Sequence, residues 1–361
     1  MKIVYILAGI FIFGLLIAVH ELGHFITAKL CGVRVNEFSI GMGPAIWQSR
    51  KETEDSWAEE KTRYSLRAFP IGGFCAMEGE DEDTGDARSF MRQGFWKKAL
   101  ILSAGSLMNF LAGVVIILVL SMGQGQFYVD QITEFAPEFP LEGENGLMVG
   151  DVVYKVDGYR AYMSGDTAMF LSYNDGQGVD LEVIRDGERI VLRDFPMYRG
   201  TYHGQEGKFG LTIGVKAIPA TLLTQLQFTW YQALDFVQLV RFSLVQLFTG
   251  GASVEDLSGP VGIVSVITEV GTSAKSPSAA WRGIAWFAAL LAVNLAVMNL
   301  LPIPALDGGR IVFLLVDAGS MLLFRRKIPE KYQAVVNTVC LVVLMGFMLL
   351  VTFKDVWNLF Q

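Results

Sequence analysis

Four stretches of the chain are apolar for long enough to cross a bilayer: about Ile3–Ala28, Ala99–Met122, Ile284–Leu301 and Ala334–Phe353. A span needs roughly 20 such residues, so the pattern predicts four transmembrane helices. The first run is too long for a cleaved signal peptide, and no small-residue cleavage site follows it. Between the second and third runs the period changes. Gly146 to Gly158 reads as a turn, an alternating strand and a second turn, and strand–turn patterns continue through Leu181–Arg185, Asp186-Gly187 and Arg189–Leu192. That predicts a small β-rich domain over about Phe127–Val215. Thr221–Thr249 is apolar but interrupted at helical spacing by Gln225, Gln232, Asp235, Gln238 and Gln246. It reads as an amphipathic helix lying on the membrane surface, not as a fifth span. The chain therefore divides into residues 1–123 (two spans and the loop between them), 124–216 (the β-rich domain), 217–282 (the surface helix and a connector) and 283–361 (two further spans). The fold class is a multi-pass α-helical membrane protein with an inserted β-rich domain.

Composition agrees with a membrane protein. Of 361 residues, 52% are hydrophobic and 18% charged, against about 25% charged in soluble proteins. The net charge of −7 gives no reason to expect a nucleic-acid partner. The distribution of charge is more informative. Lys29–Lys98 carries eleven Lys and Arg, and Asp307–Lys331 carries five. The long middle segment also carries eleven, but over more than twice the length of the first loop. Short basic loops stay in the cytosol, whereas long domains are translocated regardless of charge. The β-rich domain and both termini are thus expected outside the cytosol. Cys31, Cys75 and Cys340 form neither a disulfide framework nor a metal-site spacing.

The strongest chemical signal is His20-Glu21-Leu-Gly-His24. On a helix, positions i and i+4 share a face, so both imidazoles can bind one metal ion, and the intervening glutamate can act as general base on a water there. The bland alternative is a solvated helix end with satisfied histidines. Three ionisable groups at the end of an apolar span weigh against it, because such groups are costly in a membrane. A catalytic zinc site takes three protein ligands and leaves one position open. No third histidine is well placed, His203 lying in the β-rich domain. Asp307, in Leu306-Asp307-Gly308-Gly309, is the best candidate, although Asp-Gly-Gly alone reads as an ordinary turn. Depth favours it. His20 lies about 28 Å along the first span, near the cytosolic side, and the third span delivers Asp307 to that same side.

These motifs resemble the site-2 protease family of intramembrane zinc metalloproteases, and within it the bacterial RseP-like branch with a single PDZ domain. The resemblance covers nearly the whole chain, including Phe38–Pro44, Phe69–Phe74 and Ser258–Ile263. It departs at Ser106, where the family commonly has proline. It implies that His20, His24 and Asp307 hold one zinc ion per chain, that Glu21 activates water, and that Asn294 and Asn299 contact the substrate backbone. For the asparagines, helix–helix adhesion is the alternative. It further implies an extracytoplasmic PDZ domain, in which Gly146–Asp151 is similar to the carboxylate loop, acting as peptide binder or size filter. The location implied is the bacterial cytoplasmic membrane. The implied substrates are single-span membrane proteins such as anti-sigma factors, or signal-peptide remnants. Gly72, Gly73 and Phe74 suit a strand edge to which an extended substrate adds; a plain hairpin touching lipid headgroups is the alternative. Two other functions use the same residues. A metal transporter or sensor has no need of Glu21 beside a ligand, and a non-enzymatic scaffold has no need of the intact set.

Overall fold

Lys2–Leu30 forms one unbroken helix, α1, with His20 and His24 on a buried face of its second half. The structure is a computed structural model and describes residues 2–49, 61–80, 84–137, 139–174, 178–197, 199–202, 205–251, 257–325 and 330–358. His203 lies outside the described residues. Beyond α1 come the strands β1 (Val35–Gln48) and β2 (Arg63–Met77), then the helix α2 (Phe95–Ser121). Ser39 and Ile40 of β1 pair on one side with Phe74 and Gly73, and on the other with Ser65 and Leu66. Residues 73–76 thus form an outer edge of this small sheet. Glu37 sits buried in it and accepts hydrogen bonds from Ser65, Arg63 and Arg67. Burial alone would raise its pKa, but those donors hold its carboxyl below the ordinary value.

The next elements are β3 (Gln126–Phe135), β4 (Val152–Val156), β5 (Tyr159–Arg160), α3 (Asp166–Ser172), β6 (Val179–Arg185) and β7 (Glu188–Phe195). After these come β8 (Gly200–Tyr202), β9 (Gln205–Lys208), β10 (Leu211–Pro219) and the helix α4 (Leu222–Thr249). A sheet runs in the order β10-β3-β4-β6-β7, with β5 on β4, and its strand pairs are antiparallel. Its apolar face, including Ile132, Val153, Val156, Leu181 and Val183, packs on Phe170 of α3 and Phe242 of α4.

The polar stripe on α4 therefore has a different use from the one its spacing suggests. Gln232 and Asp235 are buried, and Gln238 exchanges two hydrogen bonds with the backbone of Arg160. The stripe is the face that docks on the β-rich domain, while Leu222, Leu223, Leu226, Trp230 and Phe248 are exposed. Accordingly, residues Ile117–Ala252 cluster as one compact unit and Met1–Ile116 with Ser253–Gln361 as the other. The segment 217–282, expected as a surface helix and a connector, is divided between the two.

Gly146–Asp151 also departs from a carboxylate cradle. The backbone N–H groups of Gly146, Leu147, Met148, Gly150 and Asp151 already donate within this unit. Arg185 donates to the carbonyls of Glu144 and Gly146 and to both oxygens of Asp151. The segment is a locked turn with five of its six backbone donors committed.

The last elements are α5 (Pro260–Ser273), α6 (Pro277–Asn299), α7 (Asp307–Phe324) and α8 (Glu330–Asn358). Among the described residues, four helices are long and apolar enough to cross a membrane: Lys2–Leu30, Phe95–Ser121, Pro277–Asn299 and Tyr332–Asn358. Two of these last helices have no counterpart in the hydropathy pattern. α5 is too short to span; it packs on α1, where Gly271 meets the ring of Tyr5. Its N-terminus is capped by Asp355 of α8, which accepts from the N–H groups of Gly259 and Gly262. That cap gives Ser258–Ile263 a structural purpose. α7 occupies what the charge pattern presents as a loop.

Candidate metal centre

His20 and His24 are one helical turn apart on α1 and almost fully buried, at 8% and 7% exposure. Their Nε2 atoms are 3.2 Å apart. His24 Nδ1 lies 2.8 Å from the carbonyl oxygen of Ile101 on α2. A carbonyl only accepts, so Nδ1 carries the proton and the Nε2 lone pair is left facing His20. α2 comes this close because it has no side chain at Gly105. A Cβ there would lie 2.5 Å from His24 Nε2 and 2.6 Å from His20 Cε1.

Asp307 arrives from the other end of the sequence as the first residue of α7. Its carboxylate favours the positive end of that helix. The Gly-Gly step after it is a matter of packing, not of turn flexibility: a Cβ on Gly308 would lie 2.3 Å from the carbonyl oxygens of Leu300 and Leu301. The preceding Ala305 is held at φ 78°, unusual for a residue with a Cβ. Its N–H donates to Asn337 of α8. This pinned turn delivers Asp307 Oδ2 to 3.0 Å from His20 Nε2 and 3.2 Å from His24 Nε2.

Oδ2 is buried and makes no hydrogen bond of acceptable geometry. Two imidazole nitrogens and one carboxylate oxygen at 3.0–3.2 Å from one another nearly match the edges, about 3.3 Å, of a tetrahedron with bonds of about 2.0–2.1 Å. The donor set fits zinc. His20, Glu21, Asp307 and Asn299 line a common cavity of about 350 Å³. The N–H of Cys75, on the outer edge of the small sheet, faces the Glu21 carboxylate. Residues of antiparallel strands alternate in the side to which their N–H and C=O groups point. Gly73 and Cys75 share one parity, so both turn those groups away from β1 and toward α1.

The family model described as "Peptidase family M50" matches residues 8–347. The chain belongs to peptidase family M50. A Clostridium perfringens protein assigned by inference as a zinc metalloprotease is 35% identical, over 98% of each chain. The membrane metalloprotease ARASP of Arabidopsis thaliana chloroplasts is 30% identical, covering 98% of this chain and 79% of that one. The regulator of sigma-W protease RasP of Bacillus subtilis is 26% identical over 98% and 99%. As an M50 member the chain is a zinc metalloendopeptidase.

The structure brings together His20, Glu21, His24, Asn299 and Asp307. Asn294 does not line the cavity. Asn299 Nδ2 lies 3.4 Å and 3.5 Å from the two ring nitrogens of His20, so this amide faces a ligand candidate. Gly72 and Gly73 are buried and Phe74 is half-buried, its ring beneath the Arg67 guanidinium. A Cβ on Gly73 would lie 2.8 Å from the Ser39 carbonyl oxygen. A side chain there would disturb the pairing of β1 with β2 before it reached any added strand. Gly105 and Asn109 were not singled out from the sequence. The readable signal was a glycine and an asparagine four residues apart on one face of an apolar span, since polar groups there are functional by default.

Proposed function

We propose that this chain cuts single-span membrane proteins or signal-peptide remnants within or beside the bilayer, in regulated intramembrane proteolysis. His20, His24 and Asp307 hold the zinc and Glu21 is the general base. The observation that carries the reading is Asp307 Oδ2: buried, without a hydrogen bond, and within 3.2 Å of two imidazole nitrogens in a cavity shared with Glu21.

A transmembrane helix hides its peptide groups in its own hydrogen bonds, so the substrate must be bound extended. The outer edge at residues 73–76 offers strand addition beside Glu21. Glu21 takes a proton from the water that adds to the scissile carbonyl and passes it to the departing amine as the C–N bond breaks. Zinc, when bound, supplies Lewis acidity that polarises the carbonyl and makes water more acidic. Asn299 orients His20, and the Cys75 N–H orients Glu21.

On this reading the chain crosses the bacterial cytoplasmic membrane four times, with His20, His24 and Asp307 near the cytosolic face and the β-rich, PDZ-like unit outside; the positive-inside charge pattern supports it. The exposed apolar face of α4 then rests on the outer leaflet. Anti-sigma factors are among the substrates of this reading, and the Bacillus subtilis relative is named a regulator of sigma-W protease.

The test is Glu21→Gln. It retains about one zinc per chain by elemental analysis, while cleavage of a single-span substrate falls about 10²–10⁴-fold or more. His20→Ala, His24→Ala and Asp307→Ala each lower the zinc content. Near-normal cleavage by Glu21→Gln, or unchanged zinc in all three ligand variants, overturns the assignment. Topology is checked with single cysteines at Ala217 and Thr249 in a cysteine-free background. Both should react with an impermeant thiol reagent from outside the cell.

A further inference from the structure

Asn109 lies in the middle of α2 and is 0% exposed. Neither its Oδ1 nor its Nδ2 has a hydrogen-bond partner. Buried polar groups in proteins are nearly always paired, and leaving one unpaired costs stability. In an apolar span the usual use of such an amide is adhesion to a neighbouring helix, and that use requires a partner which Asn109 lacks. It borders the cavity that His20, Glu21, Asn299 and Asp307 line. Its two polar companions there outside the ligand set are differently placed. Asn299 faces the His20 ring, and Glu21 faces the Cys75 N–H. Asn109 is the amide in the cavity with both donor and acceptor uncommitted.

A carboxamide with a free N–H₂ and a free C=O is complementary to one extended peptide group, which offers a C=O and an N–H. It is a poor match for an intact helix, whose peptide groups are already paired. We propose that Asn109 is a substrate-binding residue that grips the backbone of the unwound substrate segment in the cavity it shares with His20, Glu21 and Asp307. The inference rests on the protease reading above. In the substrate-free protein the amide is held unpaired, and the incoming chain satisfies it. Selection of an unwound segment over a helix follows, since only the unwound segment brings free peptide groups.

The experiment uses the full-length Glu21→Gln protein as parent and adds Asn109→Leu, which has similar volume and no hydrogen-bonding atoms. Three quantities are read in detergent or nanodiscs. They are zinc per chain, the thermal midpoint, and capture of a fluorescein-labelled, leucine-rich single-span peptide with a central Gly-Pro step. The expected result is unchanged zinc, a raised thermal midpoint because an unpaired buried amide is gone, and capture weakened by about tenfold or more. A merely structural asparagine would give the opposite midpoint shift. Unchanged capture by Asn109→Leu overturns the proposal while leaving the protease reading intact, as does a lowered midpoint with zinc loss. Failure of the Glu21→Gln parent to capture the peptide overturns the protease reading, and this proposal with it.

Discussion

The β-rich unit and the helical unit both bury paired carboxylates, and both leave some buried polar atoms unpaired, among them Asp235 Oδ1 and Thr167 Oγ1 in the first. Among the described residues, however, it is in the helical unit that unpaired atoms border the cavity beside His20 and Glu21. In the β-rich unit Asp130 accepts from the N–H groups of Gly165 and Thr167. Asp166 accepts from Tyr162 and Met163, and Asp151 accepts from Arg185 and Met148. These acids are the internal fastenings of the fold. In the helical unit Asp307 Oδ2, both polar atoms of Asn109 and the hydroxyl of Ser106 are buried without hydrogen bonds of acceptable geometry. Three of these four atoms border or belong to the cavity beside His20 and Glu21. A satisfied buried polar group reports on folding, whereas an unsatisfied one in a cavity reports on what the cavity receives.

The contrast can be broken most severely at Gly105. Alanine in a helix is intrinsically favoured over glycine by about 1 kcal/mol, so Gly105→Ala would stabilise α2 if nothing lay against it. The close approach of His20 and His24 predicts the reverse at the site. Zinc content should fall and peptide cleavage should drop by about a hundredfold or more, since small misplacements of reacting groups are that costly. Normal zinc and normal cleavage would show that α2 does not press on the two histidines.

The second expectation concerns the other unit. Asp151→Ala removes a buried partner of Arg185 and should destabilise the β-rich unit by about 3–5 kcal/mol. Zinc stoichiometry should not change. Limited proteolysis between residues 124 and 220, set against elemental analysis, separates these readouts. Zinc loss in Asp151→Ala would mean that the two kinds of buried carboxylate are not separate in function.

A third expectation follows from Asp166 and Asp235, which face each other between α3 and α4. Burial raises both carboxyls, Asp235 to about 8 and Asp166 to about 6, and each acid reinforces or adjusts the other's shift through their contact. Asp130 is the other acid facing Asp166. The folded unit keeps a proton that the unfolded chain releases near the ordinary aspartate value of about 3.9. Stability from this pair is therefore greatest below that value, falls as pH rises, and levels off above about 8. Thermal midpoints of the wild-type chain should decline across that window. Asp235→Asn should flatten the decline, and an unaltered pH profile in that variant would remove the shared proton from the account.

The smallest effect is expected at Gln238, whose amide bonds twice to the Arg160 backbone. Gln238→Ala should loosen α4 by about 1–3 kcal/mol. Increased hydrogen exchange in α4, with cleavage of an already unwound peptide unchanged, is the expected signature.

The same residues show how far the sequence could be read. The four apolar runs correspond to the four helices long enough to span, because lipid demands about 20 apolar residues and that demand is written locally. The polar positions of α4 were visible, but their direction was not. Helical spacing reports which residues share a face and is silent on whether that face meets water or Arg160. α5 was hidden for a related reason: a short apolar helix beside a Gly-Pro step has the same hydropathy as a connector. The ordinary-turn reading of Asp307-Gly308-Gly309 gave way to a helix start because the carbonyls of Leu300 and Leu301 leave no room for a Cβ. Gly73 does lie on an outer strand edge, but the sequence did not show that the Ser39 carbonyl lies where its side chain would go.

By itself the sequence determined the chemistry on offer: two imidazoles four residues apart, a carboxylate between them, and a second carboxylate nearly three hundred residues away. Those are matters of residue type and local period. Only the tertiary structure decided that Asp307 meets His20 and His24 within 3.2 Å, that Gly105 is the gap through which α2 approaches them, and that Asn109 has no partner. Packing distance and hydrogen-bond satisfaction depend on which distant segments share a space. No local pattern of hydrophobic and polar residues encodes that.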